Sequence, residues 1–217
     1  MIRLDLVEAR VLGALIEKEM ATPEYYPLSL NGLVNACNQK SNRDPAMSLD
    51  GGDVSEALER LRAKGLASIL TGGDNRVPKH SHRAYEALNL GNREIALLCV
   101  LLLRGPQTVG ELRGRTQSLH NFEDLDSVEG CLHRLMEREA QPLVMKLPRQ
   151  AGMKEHRYGH LFCGEPAAWA GADREREADT PADKENRFEK LETEIEDLKK
   201  DIDDLRRQFA DFRRQFE

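Results

Sequence analysis

An internal repeat constrains this chain more than any other feature of its sequence. Residues 5 to 20 carry an apolar period of helical spacing at Leu6, Val11, Leu12, Leu15 and Ile16. A short second helix follows in LSLNGLVNACNQ, and a third in DVSEALERLRAKGLASIL, residues 53 to 70, which runs through Gly65 into a strand. GGDN then signals a tight turn, and RVPKHSHRAY an extended return. From Asn92 the order recurs: an apolar helix over 93 to 104, then TVGELRGRTQ, SVEGCLHRLMERE, the strand LVMKLPR, a turn at QAGM and the strand KEHRYGHLF. The third helices match at one constant offset, Val54 with Val128, Leu58 with Leu132, Arg60 with Arg134 and Leu61 with Leu135. Helix, helix, helix, hairpin is therefore written twice.

That order predicts a mainly α fold with small β-hairpins (α+β): two tandem winged-helix domains, at 1–90 and 91–164, followed by a polar linker at 165–183 and a coiled-coil helix at 184–217. With 217 residues, 40% hydrophobic and 32% charged, the chain has room for two small cores rather than one large one. In the second copy, Thr108 with Glu111 and Asp126 with Glu129 fit capping boxes. The first copy carries an irregular insertion, KSNRDPAMSLDGG, before its third helix.

The tail holds the cleanest periodicity. Apolar residues fall at Phe188, Leu191, Ile195, Leu198, Ile202, Leu205, Phe209, Phe212 and Phe216 in steps of three and four. Isoleucine at a and leucine at d favour two parallel strands. The flanking pairs Arg187 with Glu192, Glu194 with Lys199 and Asp201 with Arg206 are complementary in a parallel homodimer. The alternative is a solvated helix, or one folded back on the body.

Charge is divided unevenly. Residues 1 to 164 hold 21 Lys and Arg against 21 Asp and Glu, and residues 165 to 217 hold 11 against 17, so the whole net charge of −6 lies in the tail. A neutral body lacks the whole-domain basic signature of a nucleic-acid binder, though a local stripe of cations can still meet phosphates. Cys37, Cys99, Cys131 and Cys163 are widely spaced with no CxxC pair, which suits free thiols in a reducing compartment. The longest apolar run, Ile95 to Leu103, is far short of the ~20 residues that span a bilayer. The N-terminal stretch is broken by acidic residues and does not fit a signal peptide. A cytoplasmic location without membrane contact is expected.

The stretches NQKSNRDP, RVPKHSHR, LLLRGPQTVGELRGRT and LPRQAGMKEHRYGHLF together resemble the YceH-like family of bacterial proteins, over about residues 3 to 163. The resemblance implies tandem winged helices; it brings no catalytic residue and no ligand.

On such a fold the third helix enters the major groove and the hairpin touches the backbone. The outward residues of the first copy are Glu56, Glu59, Arg60 and Arg62; those of the second include Glu129, His133, Arg134 and Glu137. Carboxylates near phosphates are repelled, so shape and charge disagree. The hairpins offer Arg76, Lys79 and Arg83, then Arg149, Lys154 and Arg157, and the insertion offers Lys40 and Arg43. One expectation is a dimeric regulator of double-stranded DNA. Its wings and insertion bind phosphates, while Arg60, Arg62 and Arg134 reach bases. The other is a protein-interaction adaptor that does not bind DNA. Glycine-rich nucleotide loops, GxSxG and HExxH are missing, so no enzyme is expected. No cofactor is expected either. His156, His160 and Cys163, or His80 and His82, lack the spacing of a zinc site, and no metal is assigned.

Overall fold

The computed structural model describes residues 2–72, 75–149 and 155–164. The linker and the seam residues from Phe188 to Phe212 lie outside the described residues, as does Lys154.

The first half runs α1 (Leu6–Ala21), β1 (Leu28–Ser29), α2 (Leu30–Cys37), α3 (Gly51–Ala63), β2 (Ala67–Gly72) and β3 (Asn75–His82). A short α4 (Ala84–Leu88) leads to the second half, α5 (Asn92–Arg104), β4 (Gln107–Thr108), α6 (Val109–Arg115), α7 (Leu125–Met136), β5 (Val144–Lys146) and β6 (Arg157–His160). The architecture is α+β, with helices on two small antiparallel sheets ordered β1-β3-β2 and β4-β6-β5. Each sheet has one strand more than the sequence predicts. The added strands, β1 and β4, are two residues long, too short for a period of two to be legible.

The helix starts follow side-chain capping. Asp5 accepts from the Glu8 N–H while Glu8 reaches back to Asp5. Asp50 does the same with Asp53, and Thr108 with Glu111. The box expected at Asp126 and Glu129 does not form: Asp124 is the cap, accepting from the Ser127 N–H at 2.7 Å, so Asp126 sits inside the first turn.

The expected pair of small cores is one continuous core. Val11, Leu12 and Leu15 of α1 belong to the same buried cluster as Leu97, Leu101 and Leu103 of α5. The two helices meet at Gly13, where a Cβ would stand 2.9 Å from Leu103 and where Cys99 Sγ donates to the Gly13 carbonyl at 3.4 Å. Close approach of this kind needs a residue without a side chain. The halves are tied again at the N-terminus. Leu4 N–H donates to the Phe162 carbonyl at 2.9 Å, and Ile2 exchanges two hydrogen bonds with the Gln141 side chain. The core-facing residues of the third helices, Val54, Leu58 and Leu61, then Val128, Leu132 and Leu135, are all buried. No helix among the described residues is long and apolar enough to cross a membrane.

Candidate interaction surface

The burial of those apolar rows fixes what α3 and α7 present outward. Past its first turn the exposed residues of α3 are Glu56, Glu59, Arg60, Arg62 and Ala63; on α7 they are Leu125, Asp126, Glu129, His133 and Arg134, with Glu137 exposed at the C-cap.

Arg60 and Arg134, although partly exposed, both meet carboxylates. Arg60 Nη2 lies 3.1 Å from Asp5, its Nε 3.6 Å from Glu8 and its Nη1 3.4 Å from Glu56. Glu8 is buried and also meets Lys64 Nζ at 2.5 Å. Arg134 donates through Nε and Nη2 to Glu94 at 3.2 and 3.0 Å. Burial pushes the Glu94 carboxyl up, but backbone N–H groups and the Arg134 guanidinium outweigh it and hold the group below the usual carboxylate range. Glu8 and Glu94 occupy the same place, the third residue of the first helix in each half, so the repeat duplicates this ion pair. Sequence reasoning matched the two arginines and missed the two glutamates, although both lie in the first turn of the apolar helices.

Arg43 is a correction. The insertion does not hold it toward solvent: the side chain is 0% exposed and sits 2.6 Å from Glu17. Its Nε and Nη2 donate to the Ala36 carbonyl at 3.0 and 2.7 Å. Arg10, equally buried, donates to the Cys37 and Pro45 carbonyls at 3.2 and 2.6 Å. Two guanidiniums thus close the C-terminal end of α2, where unsatisfied carbonyls favour cations. Burial and then the neighbouring Arg43 pull Arg10 below its ordinary value. The Asn38 side chain clamps Leu49 on both its N–H and its carbonyl. The insertion is fastened at both ends.

The remaining predicted cations divide as follows. Lys40, Arg62 and Arg149 are exposed, and Lys79 and Arg157 are half-buried. Arg76 lies within β3, and its side chain is outside the described residues, as is Lys154. The described cations Lys40, Arg62, Lys79, Arg149 and Arg157 meet no carboxylate among the described residues. Leu70 and Val77 add an exposed apolar pair on the first hairpin.

The histidines are parts of the fold. His82 opposes Ala67 across β2 and β3, and His160 opposes Val144 across β5 and β6, so the repeat duplicates a buried histidine at the end of its last strand. The Ala84 N–H donates to His82 Nδ1 at 3.1 Å, which leaves the proton of the neutral ring on Nε2, 2.6 Å from Glu19. Burial lowers the His82 imidazolium while Glu19 opposes the shift; burial takes His160 down to about 4. His156 Nδ1 is 3.1 Å from the Leu147 carbonyl, and Cys163 points to the Asp5 carbonyl. Among the described residues no group of three or more His, Cys, Asp and Glu is placed to hold a metal. Burial pushes the Cys37 and Cys131 thiols up to about 12, which suits core residues rather than nucleophiles.

A groove of about 510 Å³ opens between α3 and β2, lined by Glu59, Arg62, Ala63, Ala67, Ser68 and Ile69.

The family model described as "Protein of unknown function, DUF480" matches residues 4–153. The chain is similar to a UPF0502 protein of Solibacter usitatus, 58% identical over 163 residues that cover 75% of this chain and 77% of the relative. It is similar to a UPF0502 protein of Geotalea daltonii, 58% identical over 165 residues, 76% of this chain and 75% of the relative. A third, from Citrifermentans bemidjiense, is 54% identical over 183 residues, 80% of this chain and 84% of the relative.

Proposed function

The chain belongs to the DUF480 family, the UPF0502 proteins of bacteria, and we propose that it is a protein-interaction module of the cytoplasm built from two winged helices. The order of elements supports the winged-helix reading, and with it the YceH-like resemblance: in each half a third helix precedes a hairpin that closes a three-stranded sheet. What carries the interaction reading is the state of the third-helix arginines. Arg60 and Arg134 are engaged by carboxylates of their own half, and their outward neighbours are Glu56, Glu59, Asp126, Glu129 and Glu137. A helix so furnished repels a phosphate backbone in the groove it would have to enter. This reading calls for no catalytic step, metal or cofactor.

A second reading, a DNA-binding regulator, is favoured by the cations that meet no carboxylate among the described residues: Lys40, Arg62, Lys79, Arg149 and Arg157. These would bind phosphates from the loop and the hairpins. Fluorescence anisotropy of random duplex DNA, titrated with the full chain between about 50 and 200 mM salt, separates the two. The interaction reading expects weak binding that changes little in the variant Arg76→Glu with Lys79→Glu. Tight, steeply salt-dependent binding that the variant loses would replace it with the DNA reading.

The heptads of 184–217 support a parallel homodimer. Ile195→Asp with Ile202→Asp should halve the mass measured by light scattering; an unchanged mass would remove the dimer from the proposal.

A further inference from the structure

The short helix α4 is a bridge held from both sides. At its far end Arg138, which follows α7, donates through Nη2 to the Leu88 carbonyl at 2.6 Å. At its near end the Ala84 N–H donates to Nδ1 of His82, the last residue of β3, at 3.1 Å. Five residues are too few to hold a helix without tertiary support. The N-cap residue, Arg83, makes no side-chain capping bond, so the His82 ring takes the place of a cap.

A neutral imidazole accepts at one nitrogen and donates at the other. The surroundings of His82 fix which does which. Its side chain is 0% exposed, with Nε2 2.6 Å from Glu19 of α1. The Tyr26 and Tyr85 rings lie 6.2 and 5.4 Å away, centroid to centroid. The His82 N–H donates to the Tyr26 hydroxyl at 2.7 Å, which anchors the strand end independently of the imidazole. The charges that act on the ring are Glu19 and, from α4, Glu86. β1, β2 and α2 carry no charged residue, and the nearest titratable group on the same face of β3 is His80, two residues back. Burial holds the imidazolium below its ordinary 6.5, and the two carboxylates oppose that only in part.

A proton added to this ring must go to Nδ1, because Nε2 already carries one. Nδ1 then becomes a donor aimed at a donor, and the Ala84 N–H loses its acceptor. We propose that His82 is a proton-operated latch: protonation of Nδ1 releases Ala84 and opens the first turn of α4, while Arg138 keeps the other end and the core shared by α1 and α5 stays closed. The imidazolium keeps its contact with Glu19, so the break falls on the α4 side. His160, the duplicated histidine, is followed by no helix among the described residues, so the latch is a property of the first half.

The test is amide hydrogen exchange of the full chain, read by NMR from about pH 8 to about pH 5, with the His82 ring nitrogens followed in the same samples. At neutral pH Nε2 should carry the proton and Nδ1 none. Corrected for the chemical exchange rate, opening at Ala84 and Ala87 should grow about tenfold per pH unit below 6.5, then level off once the closed form is itself protonated. Opening at Leu97 and Leu101 of α5 should remain far rarer throughout. His82→Asn keeps an acceptor for the N–H two residues on and has no proton to gain, so it should abolish the pH dependence at α4. Glu19→Gln removes a charge that favours the imidazolium, so the levelling off should move to lower pH. A proton on Nδ1 at neutral pH, or α4 opening that ignores pH while the ring titrates, would overturn the latch. So would a pH dependence that survives His82→Asn, or α4 and α5 opening at one common rate.

Discussion

In the first half, the loop ahead of the third helix is fastened by a buried charge; in the second half, by a buried ring. Arg43 reaches back from its loop to Glu17 and to the end of α2. Between α6 and α7 the corresponding loop turns Phe122 into the core, with His120 edge-on at 4.8 Å, while Arg113 reaches out to the Phe122 and Glu123 carbonyls. One repeat thus solves the same closure in two chemistries. The longer loop brings only Leu49, half-buried, against the core, and its buried anchor is the Arg43 guanidinium rather than a ring.

The two fastenings should fail differently. Arg43→Ala leaves the Glu17 carboxylate with only Lys18, at 3.6 Å, among the described residues and strands the Ala36 carbonyl, and should cost about 4 kcal/mol in urea unfolding. Arg43→Met with Glu17→Gln should recover part of that loss, because no charge is left unpaired. A single-variant loss below that of an ordinary surface substitution would refute the buried-charge account. Phe122→Ala removes packing rather than a charge, and should cost about 3 kcal/mol with no rescue by any change at Glu17.

The duplicated histidine sharpens the contrast through pH. His160 titrates at about 4 folded against an ordinary 6.5. Its folded value is depressed, so the unfolded chain binds the proton first as pH falls. The stability it protects is whole above 6.5, declines between 6.5 and about 4, and is then flat. The loss should approach about 3 kcal/mol, and His160→Leu should flatten the slope of stability against pH in that window. His82, opposed by Glu19, should contribute a shallower slope of the same sign, and Glu19→Gln should steepen it. Equal slopes from the two histidines would break the comparison.

The smallest effect belongs to the duplicated ion pair. Arg134 is mostly exposed, and Arg134→Ala should cost about 0.5 kcal/mol and vanish in high salt. Arg60→Ala, facing the buried Glu8, should cost more than Arg134→Ala under the same conditions, although Lys64 still partners Glu8. A reversed order would show that exposure does not set the difference.

Much of the fold was legible because it repeats. The matched rows Val54, Leu58, Leu61 and Val128, Leu132, Leu135 named the buried face of both third helices, and Thr108 with Glu111 named a true helix start. Asp126 misled because Asp124, two residues earlier, is an equally good cap, and only the path of the chain chooses between them. Arg43 was illegible for a different reason: a loop of Ser, Asn, Asp and Pro reads as solvent-exposed, and its partner Glu17 lies 26 residues away on another helix. The shared core was hidden too, since apolar periodicity marks which face of α1 and α5 is buried but not against what. At the candidate surface, residue types were visible and their state was not: Arg60 and Arg134 are engaged, Arg62 is open, and an edge strand differs from an inner one only by a neighbour.

The tie between Leu4 and Phe162 bears on how the protein is made. A chain emerging from the ribosome presents Leu4 long before Phe162 exists, and α1 long before α5 offers Leu103 to Gly13. The α5-facing side of α1 therefore stays uncovered until Arg104 has been made, whereas α2 and α3 of the same half can cover the rest of that helix earlier, and the tie at Leu4 closes last.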